Sequence, residues 1–437
     1  MNGSAMNQTL LNAEWLSRFK QFDKLILGFS GGLDSTVLLH TLASHSSLHS
    51  KLLAVHINHG ISSNAIYWQQ HCEQFCRHLD IHFITKTVQF DHSANLEERA
   101  RIARYAVFSD LLTERDCLIL GHHQDDQAET VLLQLLRGAG VDGLAAMTEL
   151  GVWKKGIIAR PFLNSSRAQL ANYAKSQQLS WIEDESNQDI SYSRNYLRQE
   201  ILPLLADKWP GALGNIARTA MHCQQAKSNL DALASQDCPE LSLASDSLCI
   251  TPLLQLDFAR IVNVLRSWLK KRQIQVPTTA LLHRIIEELI FARIDAEPQV
   301  NWNEVVIRRY QQYLYVDKKN KAILPQYSEW DEFPSPLMLG VTGLCVIAEP
   351  TTQGLVIPPK ARITIRFRQG GEVFFLHGQT KQLKKLFQEW QVPPWQRERI
   401  PLLYINDELA VVINYAISDA FFNHNSSLAW SFKTQQA

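Results

Sequence analysis

Between residue 24 and about residue 205, short apolar runs alternate with segments whose apolar residues recur at helical spacing. Residues 24–30, 52–59, 81–88 and 117–122 read as strands, each an almost unbroken apolar run closed by turn residues. Residues 35–43, 65–78, 96–112 and 126–137 read as the helices between them. Strands that are apolar on both faces need cover on both, so the pattern predicts an α/β domain, a doubly wound parallel sheet.

The pattern then changes. Residues 207–293 read as mostly helical, with Phe258, Ile261, Val264, Leu265 and Trp268 spaced for one buried face. Pro277, Thr278 and Thr279 mark the start of a further helix. Residues 304–310 and 313–318 read as a hairpin across Gln311 and Gln312, with no glycine at the turn. Residues 328–336 read as a linker, and the alternation in 361–368 and 408–415 predicts a small α+β C-terminal domain with one helix. The expected domains are 1–215, 216–325 and 337–437.

A length of 437 residues agrees with about three domains. Hydrophobic residues make up 46% and charged residues 20%, which excludes a disordered, collagen-like or coiled-coil chain. Lys+Arg and Asp+Glu both number 43, so any polyanionic partner must meet a local basic patch. Seven scattered cysteines without a C-x-x-C pair suit reduced thiols in a cytoplasmic protein. The first fifteen residues lack a basic start followed by an apolar run, and 401–418 is interrupted by Asn406, Asp407 and Glu408. Neither a signal peptide nor a membrane span is expected.

The string Ser30-Gly31-Gly32-Leu33-Asp34-Ser35 leaves the first strand and enters a helix. Two glycines let successive N–H groups converge on an anion, and two hydroxyls and a helix N-terminus reinforce them. The string lacks the Walker lysine and the G-x-G-x-x-G fingerprint. A plain glycine turn with a helix cap explains it less well than a phosphate loop. S-G-G-x-D-S resembles the pyrophosphatase (PP) loop of the N-type ATP pyrophosphatases, in which a substrate oxygen attacks the α-phosphorus of ATP. That resemblance implies ATP phosphates on Ser30, Gly31, Gly32, Leu33, Asp34 and Ser35, with Asp34 helping to hold Mg2+.

A second polar string, residues 121–130, follows a strand and opens a helix. Asp126 and Glu129 are three apart, and Asp126 and Thr130 four apart, so they share a face. Favourable helix-end charge explains one carboxylate but not the set. Asp126 and Glu129 are therefore candidates to coordinate Mg2+ or to receive an amine. Residues 181–198 are polar yet dense in aromatics, which by itself suits a solvated loop; the Arg194 guanidinium there would suit a polyphosphate.

Together, residues 30–40, 55–62, 97–105, 121–138 and 181–198 resemble the tRNA(Ile)-lysidine synthetase family. Residues 366–372, 380–385 and 392–395 extend the resemblance into the C-terminal third. It implies adenylation of the wobble cytidine of tRNA(Ile) with a CAU anticodon, then attack by the side-chain amine of free L-lysine. The family's catalytic positions fall on Asp34, Asp126 and Arg194. Presenting neutral lysine at pH 7 costs about 4.6 kcal/mol, so a carboxylate that binds the ammonium and takes its proton is chemically apt.

Between Arg366 and Arg399 seven basic and three acidic side chains leave a net charge of plus four. Lys381, Lys384 and Lys385 are expected on one helix face, with Leu383, Leu386, Phe387 and Trp390 opposite. With Arg366, Arg368 and Arg397 they form the candidate tRNA-binding set; residues 270–272 and 308–309 are weaker candidates. A PP-loop tRNA sulfurtransferase would need a working cysteine, and only Cys72 and Cys76 lie close in sequence. A non-enzymatic tRNA-binding module leaves Asp34, Asp126 and Arg194 unexplained. A homodimer is compatible with the sequence.

Overall fold

In a computed structural model describing residues 10–60, 64–88, 96–242, 247–293, 296–318, 325, 327–340, 343–426 and 428–436, the run Leu25–Gly28 is the strand from which the first core is built. Leu25 and Leu27 pack on one face of its sheet with Val37, Leu38 and Phe162, and Ile26 packs on the other with Val55, Phe108 and Leu118. This period of two, apolar on both faces, makes helical cover obligatory.

The chain divides into two units between Leu233 and Ala234. The first opens with α1 (Ala13–Lys20), β1 (Leu25–Gly28), α2 (Leu33–Ala43), α3 (Ser46–His49), β2 (Leu52–Asn58), α4 (Ala65–His78) and β3 (His82–Thr87). It continues through α5 (Leu96–Leu111), β4 (Cys117–Ile119), α6 (Gln124–Leu136), α7 (Val141–Leu144), β5 (Leu150–Trp153), β6 (Gly156–Ala159) and α8 (Arg167–Ser176). The sheet order is β3-β2-β1-β4-β6-β5. Every pairing in it is parallel except the β5–β6 hairpin at one edge, whose strands carry too little periodicity to stand out in the sequence. Strand order runs one way from β1 to β3 and the other way from β4 onward, so a crevice opens beyond the carboxyl ends of β1 and β4. Helices α9 (Ser193–Tyr196) and α10 (Leu202–Lys208) flank a π-helical turn at Leu197–Ile201. Helix α11 (Ala212–Asp237) runs across the expected domain boundary at 215.

In the second unit β7 (Ser247–Cys249) precedes α12 (Phe258–Lys271) and α13 (Thr279–Ile285). These pack with a sheet completed by β8 (Gln299–Trp302), β9 (Val305–Tyr310) and β10 (Tyr313–Lys318), ordered β7-β10-β9-β8. Ile261, Val264, Leu265 and Trp268 are buried as their spacing predicts, whereas Phe258, in the first turn, is exposed against His283. Thr278 takes the N-cap position of α13. The hairpin pairs Tyr310 with Tyr313, and Gln311 adopts a left-handed φ of 53° at the turn where a glycine was missing.

The remaining strands are β11 (Tyr327–Glu329), β12 (Leu337–Leu339), β13 (Leu344–Thr351), β14 (Gly354–Leu355), β15 (Ile363–Arg366), β16 (Val373–Leu376) and β17 (Gln379–Gln382). After α14 (Leu383–Glu389) and α15 (Pro394–Arg397) come β18 (Leu402–Ile405), β19 (Glu408–Val412), β20 (Ala416–Ile417), β21 (Phe422–Asn423) and β22 (Ala429–Gln436). Two five-stranded sheets, β11-β15-β18-β19-β20 and β12-β13-β22-β14-β21, share one core. The expected linker at 328–336 is part of it: β11 pairs with β15, and Trp330 is buried and donates its indole N–H to the Ser335 carbonyl. Its polar residues face outward around one aromatic anchor, which is why it reads as a linker. Among the described residues no helix is long and apolar enough to cross a membrane.

Candidate active site

The PP-loop sits where β1 delivers it, at the reversal of strand order. Gly31 has a φ of 82°, a region L-residues avoid, and a Cβ there would lie 2.6 Å from Ile182 Cδ1 and 2.7 Å from Cys72 Sγ. The loop is braced from behind by Ile182 N–H donating to the Gly31 carbonyl at 2.8 Å. Thr36 Oγ1 donates to the same carbonyl at 3.2 Å, and Ser35 Oγ donates to the Gly32 carbonyl at 3.0 Å. Ser30 and Ser35 hydroxyls lie 3.1 Å apart. Gly32 occupies the N-cap position of α2 without a side-chain cap, leaving the first-turn N–H groups available to an anion. Leu33 is buried in the core, so it can offer a phosphate only its backbone.

Strand β4 delivers the second loop beside the first. Gly121 permits the approach: a Cβ there would lie 3.1 Å from both the carbonyl carbon and oxygen of Asp34. His123 then caps α6 in place of the usual Ser or Thr, accepting from the Asp126 N–H at 3.4 Å while Asp126 Oδ2 accepts from the His123 N–H at 3.0 Å. His123 Nε2 stands 3.5 Å from both Asp34 Oδ2 and Asp126 Oδ2, so one imidazole bridges the two loops. Burial alone would lower its pKa, but the hydrogen bond to Asp34 and the charges of Asp126, Asp34 and Asp125 raise it above the ordinary value. His122 behaves oppositely: burial pushes it down to about 3, and it is neutral at pH 7.

Asp126 and Glu129 face two guanidiniums rather than one. Arg194 on α9 donates from Nε to Glu129 Oε2 at 2.7 Å and from Nη2 to Asp126 Oδ1 at 3.3 Å. Arg198 on the π turn donates to both Glu129 oxygens, at 2.6 and 3.0 Å, and to Asp126 Oδ1 at 3.0 Å. Glu129 is fully buried and Asp126 nearly so. Burial raises the Asp126 pKa, yet the histidines and both arginines outweigh it and hold the carboxyl below its usual range. The same carboxylates raise Arg198 against the effect of burial. The structure thus brings Asp34, Asp126, Glu129 and Arg194 into one crevice. Thr130 does not join them, because its hydroxyl donates to the Asp126 carbonyl.

Arg198 and His123 are the residues the sequence reading missed. The signal for Arg198 was present: a four-residue spacing from Arg194 opposite a three-residue carboxylate spacing. The feature here that suits a magnesium ion is Asp34 Oδ1, which is buried without a hydrogen-bond partner. Magnesium needs few protein carboxylates when phosphate oxygens complete its shell.

The basic C-terminal residues sort differently from expectation. Lys381 belongs to β17, not to the helix, and pairs with Glu389 at 2.9 Å. Arg366 pairs with Asp407 and lies over the Tyr404 ring, and Arg368 lies 3.7 Å from Glu372. Arg397 is buried, donating to the Val392 carbonyl and the Tyr310 hydroxyl, because Trp395 packs edge-on against Tyr310 and Tyr315 and carries the segment inward. Arg309, one of the weaker candidates, is also buried and caps the carbonyls of Leu289, Ile290 and Ala292. Lys384 and Lys385 are exposed on α14, whose Leu383, Leu386 and Phe387 are buried as predicted.

Residues 5–205 match the PP-loop domain family, 248–315 the TilS substrate binding domain and 363–434 the TilS substrate C-terminal domain. The chain is 59% identical over 426 residues to a tRNA(Ile)-lysidine synthase of Legionella pneumophila (strain Paris), covering 98% of this chain and 99% of that one. A tRNA(Ile)-lysidine synthase of Coxiella burnetii (strain RSA 493 / Nine Mile phase I) is 39% identical over 417 residues, covering 94% and 92%. A PP-loop at the strand-order reversal, a carboxylate pair beside it and similarity running the length of the chain converge: the chain belongs to the tRNA(Ile)-lysidine synthase family of ATP-dependent ligases.

Proposed function

We propose that the crevice between β1 and β4 activates a cytidine of tRNA(Ile) with ATP and joins L-lysine to it. Phosphates would rest on the N–H groups of Gly31, Gly32 and the first turn of α2, with Ser30 and Ser35 hydroxyls beside them. Mg2+, held by Asp34 with phosphate oxygens completing its shell, would neutralise phosphate charge during release of pyrophosphate. The cytidine 2-oxygen attacks the α-phosphorus, and the lysine amine then attacks C2 and expels AMP. The amine must lose a proton to become nucleophilic, and Glu129 and Asp126 are the acceptors at hand. Arg194 lies beside the same carboxylates and steadies anionic charge as phosphates enter. Lys384 and Lys385 are the exposed cations proposed to meet the tRNA backbone.

The observation that carries this reading is the buried Asp126–Glu129 pair coupled to the PP-loop through His123. Sulfur transfer is disfavoured because Cys72 and Cys76 are buried on α4, which pushes Cys72 well above the ordinary thiol range and Cys76 up to about 12. The test is AMP release with and without tRNA and lysine. Release requiring tRNA and accelerated by lysine supports the reading, and release driven by a persulfide donor instead overturns it.

A further inference from the structure

The four charged groups of the cluster are not equivalent, and their inequality assigns a role to Arg198. Arg198 holds both oxygens of Glu129 and one of Asp126 through Nε and Nη2. Arg194 reaches one oxygen of each carboxylate, the Asp126 bond being the longer at 3.3 Å. Every oxygen of the pair is therefore spoken for: Asp126 Oδ2 accepts the His123 N–H and the other three accept guanidinium N–H groups. The two guanidiniums match the two carboxylates of the pair one for one. At Glu129, which is fully buried with guanidiniums on both oxygens, a cationic amine gains room where one guanidinium withdraws, and Arg194 has fewer bonds to lose.

We infer that Arg198 is a positioning residue for the amine-transfer step, its fork on Glu129 fixing the carboxylate pair while Arg194 is the guanidinium that yields to the incoming amine. The inference rests on the reading above that this pair receives lysine. Arg198 acts through Glu129, whose buried carboxylate is also paired, among the described residues, with Arg194. The π turn at Leu197–Ile201 places Arg198 on the same face as Arg194. A lysine at position 198 would keep the charge and lose the fork.

The experiment measures tRNA-dependent pyrophosphate release and lysine transfer separately for wild type, Arg198→Ala and Arg198→Lys, with thermal unfolding of each. The expected result for both variants is a larger loss in lysine transfer than in pyrophosphate release. The KM for lysine should rise at least about tenfold in Arg198→Ala, and by less in Arg198→Lys, because a buried carboxylate loses its bidentate partner. If Arg198→Ala does not fold, Arg198→Lys alone decides, by a raised or an unchanged KM. An unchanged KM for lysine overturns the inference, and so does a loss of both half-reactions in equal measure in a folded variant. Wild type that releases pyrophosphate but takes no lysine overturns the underlying reading, an outcome distinct from the other two.

Discussion

Gly31→Ala and Gly32→Ala are adjacent, chemically identical changes with different expected costs. At Gly31 the backbone has a φ of 82°, and a left-handed conformation costs an L-residue about 1–2 kcal/mol. The new methyl would also meet Ile182 Cδ1 at 2.6 Å and Cys72 Sγ at 2.7 Å, an overpacking of about 1–3 kcal/mol. The sum, about 2–5 kcal/mol, would lower the melting temperature of the N-terminal unit by roughly 5–15 °C. At Gly32 φ is −72° and the nearest atom is Ser30 Oγ at 3.5 Å, ordinary contact, so the melting temperature should move by no more than about 2 °C. Differential scanning calorimetry reads the first difference, and pyrophosphate release reads the second. Gly32→Ala should fold normally and lower turnover, because its methyl comes within 3.5 Å of Ser30 Oγ, a hydroxyl proposed to meet the phosphates. A Gly31→Ala protein as stable as wild type would refute the argument that backbone and packing require glycine there.

Acid should act through His122: its folded pKa of about 3 lies below the ordinary 6.5, so the unfolded chain binds the extra proton between those values. Stability then falls as pH drops through that window, by about 1.4 kcal/mol per unit, and His122→Asn should flatten the slope in urea titrations at pH 7, 6 and 5. Lys384→Ala with Lys385→Ala should leave unfolding unchanged and reduce the salt dependence of tRNA affinity by one to two phosphates. Arg397→Ala should instead destabilise the second unit, by about 1–3 kcal/mol, since its partners are buried carbonyl and hydroxyl groups. Cys72, Cys76 and Cys117 should resist alkylation by iodoacetamide until the chain unfolds, and rapid native labelling would contradict their burial.

Much of this was legible in the sequence where one physical cue dominated. The parallel strands were, because both faces of β1 and β2 are apolar, and α4 was bounded correctly at both ends. The PP-loop and the Asp126–Glu129 pair were legible because polar residues clustered where a strand gives way to a helix. Arg198 was not, because an arginine on a polar segment reads as solvated until Glu129 is seen to be buried beneath it. The C-terminal cations misled for the same reason in reverse. Arg397 and Arg309 count as charge in the sequence, yet carbonyl groups that local strands and helix ends leave open draw them inside. Residues 328–336 concealed a strand whose partner, β15, lies more than thirty residues away.

The most direct measurement is incorporation of labelled lysine into unfractionated tRNA, with ATP and Mg2+, for wild type, Asp34→Ala and Glu129→Gln. The account predicts labelled tRNA(Ile) with wild type, loss of both pyrophosphate release and label with Asp34→Ala, and retained pyrophosphate release with label lost for Glu129→Gln. Label incorporated at the wild-type rate by Glu129→Gln would contradict the claim that the buried carboxylate pair serves the amine.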